Sequence, residues 1–237
     1  MNAYFYPHEL VPTAVITHVL KYLGIGVTNN PSKADLKFHW DYKDVNAGHE
    51  GWINGRCKNV EKWYVDKIFT EIFGYSSLID PSKPGICIKK NNKQCSKSGG
   101  LIVTPCKAEP GYIYQRYIDN VNGDYREVIR LITSKKDMMI HTKLMKGLVR
   151  DGREHCIDVK VDWDKSLLSV DEREKTIKFT EIMGMEWGEL DALRDRNNGK
   201  LYIIDVNNIP AIQSVDKIKE RNRFMKELSE MFKKNFL

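Results

Sequence analysis

No run of apolar residues in this 237-residue chain approaches the roughly 20 needed to span a bilayer. The opening MNAYFYPHEL lacks a basic stretch leading into an apolar core, so no signal peptide is expected. Cysteine is sparse. The five thiols at 57, 87, 95, 106 and 156 form an odd set without a CxxC pair, which argues against a disulfide framework and a zinc ribbon. Reduced thiols in a cytoplasmic protein are the expectation. There is no internal repeat and no low-complexity tract. The net charge is +6, yet the basic residues are scattered among acids with no dense block, so neither nucleic acid nor membrane is an expected partner. The excess suits an anionic ligand such as a nucleotide. GxxxxGK[ST] and a clean GxGxxG are both missing, which leaves a P-loop and a dinucleotide fold without support. No Ser/His/Asp or Cys/His set stands out as a nucleophilic centre.

What is present is an ordinary globular composition, 41% hydrophobic and 30% charged, in a length that fits one multi-lobed domain or two small ones. TAVITHVLKYL (13–23) has helical spacing with Thr13 as its cap, and GIGV (24–27) and DLKFHW (35–40) read as short strands. NVEKWYVDKIFTEIF (59–73) is an amphipathic helix, capped by Asn59 and stopped by Gly74. Strands are predicted at 84–90, 101–106, 112–118, 124–133, 138–145, 188–194 and 200–208, a helix at 171–183, and a closing helix at 215–234. Strands in antiparallel pairs with helices between them give an α+β fold. The expected division is a short α/β unit at 1–58, a small lobe at 59–120 and a larger lobe at 121–237.

The stretch LYIIDVNNIPA (201–211) carries the sharpest chemistry. Alternation puts Asp205 and Asn207 on one face, together with Leu201 and Ile203. Glu189, Asp191 and Leu193 share a face of the partner strand across a short turn, so Asp191 falls opposite or diagonal to Asp205. Acids near strand ends and Asn-Asn-x-Pro are also plain turn chemistry. Burial up to Asp205 argues for more, because a buried carboxylate needs a partner and its nearest candidates are acids. Two carboxylates and an amide oxygen make a hard-oxygen site suited to Mg2+. Lys67, Lys89, Lys143 and Lys146 each read alone as surface lysines. In the loop NNKQCSKSGG (91–100), Ser96, Ser98, Gly99 and Gly100 could donate to phosphate oxygens.

From about Lys62 to Ala211, two thirds of the chain, the order of these motifs resembles the ATP-grasp superfamily of carboxylate–amine ligases, the D-alanine–D-alanine ligase-like and related peptide and amino-acid ligases. The strongest part is ELDALRDRNNGKLYIIDVNNIPA. The resemblance implies that Asp191, Asp205 and Asn207 bind two Mg2+ ions (Mn2+ being the alternative) that bridge the phosphates of ATP. The family's triplet is usually Glu-x-Asn, and this chain has Asp205. DKIFTEIFG implies a phosphate contact for Lys67, and ICIKK implies a second for Lys89. SKSGG resembles the glycine loop that closes over ATP. YIYQRYI resembles the strand joining the lobes, with adenine held around Gln115, Arg116, Tyr117 and Ile118; Gln115 stands where the family often has Glu. GDYRE places Asp124 at the ribose and Arg126 in the catalytic motif, and HTKLMKG offers Lys143, in preference to Lys146, as a phosphate contact.

The implied fold is two α+β lobes clasping ATP. The implied reaction activates a small-molecule carboxylate as an acylphosphate, then joins it to an amine with release of ADP and phosphate. A kinase using the same ligands and a non-catalytic ATP-binding protein are the alternatives, and a homodimer is left open. Trp52, Arg56, Cys57 and Arg194 are conceivable substrate contacts. His141 reads as a packing or surface residue.

Overall fold

The computed structural model describes residues 1–41, 49–93, 99–146 and 156–237, with backbone alone for 212–214. The chain begins with a strand that the sequence reading left unassigned, β1 (Asn2–Pro7), in which Ala3 and Phe5 alternate inward. Helix α1 (Val15–Tyr22) carries the chain to β2 (Gly26–Val27), and β3 (Leu36–Trp40) completes a parallel sheet in the order β2-β1-β3. The expected N-terminal α/β unit is therefore present. The cap of α1 is Ala14, not Thr13, and it makes no side-chain bond.

Helix α2 (Lys62–Phe73) starts later than the expected 59. Asn59 instead accepts the Glu61 amide at 2.8 Å, forming a turn ahead of the helix. Gly74 ends the helix in the left-handed conformation that a side chain disfavours, at φ 80°. Strands β4 (Gly85–Asn91), β5 (Gly99–Thr104) and β6 (Tyr112–Arg116) form a small antiparallel sheet in the order β5-β4-β6.

The large sheet is antiparallel. It contains β7 (Val121–Asn122), β8 (Tyr125–Ser134), β9 (Asp137–Lys146), β10 (Cys156–Val161), β11 (Trp187–Arg194) and β12 (Leu201–Asn207) in the order β10-β9-β8-β11-β12, with β7 beside β8. Strands β7 and β10 were not foreseen either. Helix α3 (Val170–Ile182) is opened by a capping box: Glu172 N donates to Ser169 Oγ at 3.2 Å and Ser169 N donates to Glu172 Oε2 at 2.9 Å. Acids come early in it, Asp171 and Glu172 in the first turn, and Lys175 and Lys178 follow. The closing helix divides into a 3-10 turn (Ile212–Lys217) and α4 (Arg221–Phe236).

Alternation along β8, β9 and β11 gives the large sheet two unlike faces. Ile129, Leu131, Ile140, Leu190 and Ala192 enter a core shared with α2 and α3. On the opposite face Ile132, Met139 and Trp187 join a second core with α1, α4 and the parallel sheet, where Phe232 stacks on Phe38 and meets Trp187 edge-on. The rest of that second face mixes charged side chains with aliphatic ones, and it carries the candidate site. Asn54 ties the N-terminal unit down beside it: Nδ2 donates to Trp187 O at 2.7 Å, and Oδ1 accepts the Trp187 amide at 2.9 Å. Asn208, next to Asn207, donates from Nδ2 to the carbonyl of Asp41.

Candidate active site

The polar end of the large sheet and the inner face of the small sheet enclose a cleft of about 110 Å³. Ile88 and Lys90 enter it from β4, Gln115 and Arg116 from β6, and Tyr117 and Ile118 from the connection that follows. The large sheet supplies Arg126, Val128 and Arg130 from β8, Lys143 and Met145 from β9, Asp191 and Leu193 from β11, and Ile204 and Asp205 from β12. The wall thus combines a patch of aliphatic side chains with four basic groups besides Arg130, namely Lys90, Arg116, Arg126 and Lys143, and two carboxylates.

Asp191 and Asp205 are direct register partners across the hairpin, and Glu189 is paired with Asn207 two residues along. This is the juxtaposition that the hairpin pattern predicts. The accompanying face assignment fails, however. The register passes from Asp191↔Asp205 to Ala192↔Ile203, which leaves Ile204 as the extra residue of a bulge. A bulge breaks the two-residue alternation. Leu201 and Ile203 consequently stay in the core beneath, while Ile204 and Asp205 line the cleft.

Charge on this floor is closely arranged. The Arg130 Nη1 contacts the carboxylates of both Glu189 and Asp191. Lys62, buried at the start of α2, lies 3.9 Å from Asp205 through Nζ and donates to Lys93 O at 2.8 Å. Burial pushes the Asp191 carboxyl up to about 7; Arg130 opposes this, and Glu189 and Asp205 reinforce it. Lys143 is held below its ordinary value, first by burial and then by Arg130. His141 sits across from Arg130 on the same sheet face, fully buried against the edge of Phe224. Its ring nitrogens have no hydrogen-bond partner among the described residues. Burial, then Arg130 and Lys143, lowers its pKa well below the ordinary value, so it stands neutral.

A separate network braces the small sheet. Lys90 Nζ donates to Gln115 Oε1 at 2.5 Å, and Gln115 Nε2 donates to Ser77 Oγ at 3.1 Å. Ser77 N and Oγ both donate to Asp66 Oδ1 at 2.7 Å. The side chain of Gln115 therefore joins α2 to the lysine on the cleft wall. Arg116 lies over the Tyr202 ring, 5.5 Å from its centre.

No family model matches the sequence, and no curated protein matches it. Solved structures do. The D-alanine–D-alanine ligase of Bacillus anthracis matches over 99% of this chain and 96% of its own, at a TM-score of 0.55 and 11% identity. An RiPP-associated ATP-grasp ligase from Chryseobacterium gregarium, in complex with ADP and a leader and core peptide, matches over 98% and 96%, at 0.54 and 11%. The macrocyclase MdnC of Microcystis aeruginosa MRC, bound with precursor peptide MdnA, matches over 98% and 99%, at 0.54 and 8%. The chain has the ATP-grasp fold. It spans 64% of the length of another such ligase, PsnB, in its complex with Mg and ADP.

Within this ATP-grasp fold the residues singled out from the sequence separate into three groups. Gln115, Arg116, Tyr117, Ile118, Arg126, Lys143, Asp191 and Asp205 are brought together on the cleft wall. Six others are placed elsewhere. Lys67 is exposed on α2, and Asp124 is exposed in the turn before β8. Lys89 faces away from the cleft and pairs with Glu109, which raises its pKa. Gly99 and Gly100 open β5, paired with Lys90 and Lys89. Asn207 ends β12 opposite Glu189, just beyond the lining residues. Ser96 and Ser98 lie outside the described residues.

The sequence reading missed Lys62, Lys90 and Arg130. Alternation held a signal for two of them. Ile88 and Lys90 share one face of β4, so the strand face selects the second lysine of the pair. Arg126, Val128 and Arg130 likewise share one face of β8. Lys62 had no such signal, because only the packing of α2 against β12 brings it near Asp205.

The donor chemistry fits the groups this fold implies. Two carboxylates in register, with an amide oxygen next along the strand, are hard donors suited to Mg2+. Aliphatic side chains beside clustered cations suit a purine and a phosphate chain.

Proposed function

We propose that the chain is an ATP- and Mg2+-dependent ligase that joins a substrate carboxylate to an amine, with substrates of amino-acid or peptide type. The observation that carries this reading is the cleft that sets Lys90, Arg126 and Lys143 around Asp191 and Asp205. The complexes of its fold neighbours, with ADP and peptides in one and a precursor peptide in another, are in keeping with it.

In this reading Ile88, Val128, Met145, Leu193 and Ile204 hold the adenine. The backbone around Gln115–Ile118 orients it, and the lobes at 59–120 and 121–237 close on it. Lys90, Lys143 and Arg126 neutralise the phosphate chain, and Asp205 and Asn207, with Asp191 beside them, would hold the divalent ion. That ion supplies further neutralisation of the transferring phosphate. An oxygen of the substrate carboxylate forms a bond to the γ-phosphorus as the bond to the β–γ bridging oxygen breaks. The amine nitrogen then attacks the acyl carbon, phosphate leaves, and the nitrogen gives up a proton. Positioning and charge do the work, and no protein nucleophile is needed. His141, buried and neutral, is read as packing.

The test is ADP release from Mg-ATP by the purified chain, supplied with pooled amino acids, small carboxylic acids and peptides. ADP formed only when both a carboxylate and an amine are present supports the reading. Absence of nucleotide binding at millimolar Mg-ATP overturns it.

A further inference from the structure

We propose that Arg130 is a fixed internal cation of this site, standing where a second divalent ion would otherwise bind, so that the chain takes one divalent ion per bound nucleotide. This rests on the Mg-nucleotide reading above and departs from the two ions that the ATP-grasp resemblance implies.

Arg130 lies on β8 directly opposite Asp191 on β11. Its Nη1 contacts Asp191 and also Glu189, which is almost wholly buried. A guanidinium stays charged at any working pH. To bind at Asp191, an ion would have to displace Arg130 from that carboxylate, which disturbs its pairing with Glu189 too. Stranding a buried Glu189 charge without its partner is strongly unfavourable. The charge balance points the same way. Arg130, Lys143 and Lys62 stand against the acidic groups Glu189, Asp191 and Asp205 on the floor, and Lys90, Arg116 and Arg126 add further basic groups around it, so the cleft offers little attraction of its own to a second dication.

Asp205 is placed differently. Its side chain is 28% exposed, and Lys62 is 3.9 Å away, beyond hydrogen-bond reach. Asn207 follows it on the same face. These two residues can take one ion while Arg130 keeps its grip on Asp191.

The test counts ions with Mn2+ as the probe. The full chain is mixed with a sub-stoichiometric non-hydrolysable ATP analogue and titrated with Mn2+, and free Mn2+ is read by electron paramagnetic resonance. One bound Mn2+ per bound nucleotide is expected for the wild type. The double variant Arg130→Met with Glu189→Gln removes the ion pair together, so neither charge is left buried alone, and it is expected to bind two. Two ions in the wild type, or one in the folded double variant, overturn the inference. If the double variant does not fold, the wild-type count alone decides. A chain that binds no nucleotide overturns the proposed function and this inference with it; nucleotide bound with two ions overturns the inference alone.

Discussion

The substitutions Lys90→Met and Lys89→Met separate strand geometry from motif matching. The motif ICIKK selects Lys89, whereas the fold turns Lys89 toward Glu109 and places Lys90 on the cleft wall, buried, with Nζ on Gln115 Oε1 at 2.5 Å. A hydrogen bond to a charged group contributes about 1.5–3 kcal/mol. Each 1.4 kcal/mol is about tenfold in a binding constant. Loss of a phosphate contact from Lys90 is therefore expected to weaken nucleotide binding by roughly 10- to 100-fold. Methionine keeps most of the aliphatic stem, so little packing is lost with the charge. Lys89→Met gives up a solvent-screened pair with Glu109 and a contact over the Tyr112 ring, both outside the cleft, and its affinity should stay within about twofold of wild type. Isothermal titration with ADP and Mg2+ measures both variants, and a urea melt confirms that each is folded. A large loss in Lys89→Met with Lys90→Met unaffected would refute the face assignment of β4 and, with it, the placement of phosphate in this cleft.

Acid sensitivity should trace in part to His141. Its folded pKa lies well below the ordinary 6.5, so below that pH the unfolded chain takes up a proton that the folded chain refuses. Stability therefore falls as pH drops through 6.5, by up to about 1.4 kcal/mol per pH unit from this one group. His141→Leu should flatten the slope between pH 7.5 and 5 in urea melts, and an unchanged slope rules out that share. At Gly184, φ is +68° and an added Cβ would lie 2.4 Å from the Arg56 carbonyl oxygen. Gly184→Ala should thus cost more than the roughly 1–2 kcal/mol of left-handed strain alone. Gly111→Ala, at φ +79° with open space around it, should cost only that strain. Equal urea midpoints for the two variants would show that the 56–184 contact yields freely.

Much of this architecture is legible in the sequence because it rests on local rules. The β11–β12 hairpin is set by its turn: Asp195 N donates to Lys200 O, and Gly199 takes φ 71°. Once the turn is fixed, Asp191 meets Asp205. Gly74 and the Ser169/Glu172 box punctuate helices for equally local reasons. The failures are of another kind. The extra residue at Ile204 carries no signature in LYIIDVNN, because a bulge is chosen by what packs on each face. Strand β1 gains its identity only from its partners β2 and β3, which come later in the chain. Lys89 and Lys90 are indistinguishable by type, and which one points inward depends on which face of β4 is covered.

The same distinction bears on the site itself. A motif reading transfers roles position by position, so it passes over a residue whose role comes only from its neighbours in the fold. Arg130 is such a residue. Alone it is one more arginine on an amphipathic strand. Its consequence appears only when β8 and β11 are laid side by side and its guanidinium is found on both Glu189 and Asp191. Electrostatics makes that placement matter, because a cation already seated on a carboxylate changes how many more the site can attract. If the Mn2+ count is one, the three residues read from the strand pattern are unequal in role. Asp205 and Asn207 would take the ion, and Asp191 would serve chiefly to hold the arginine that replaces its neighbour.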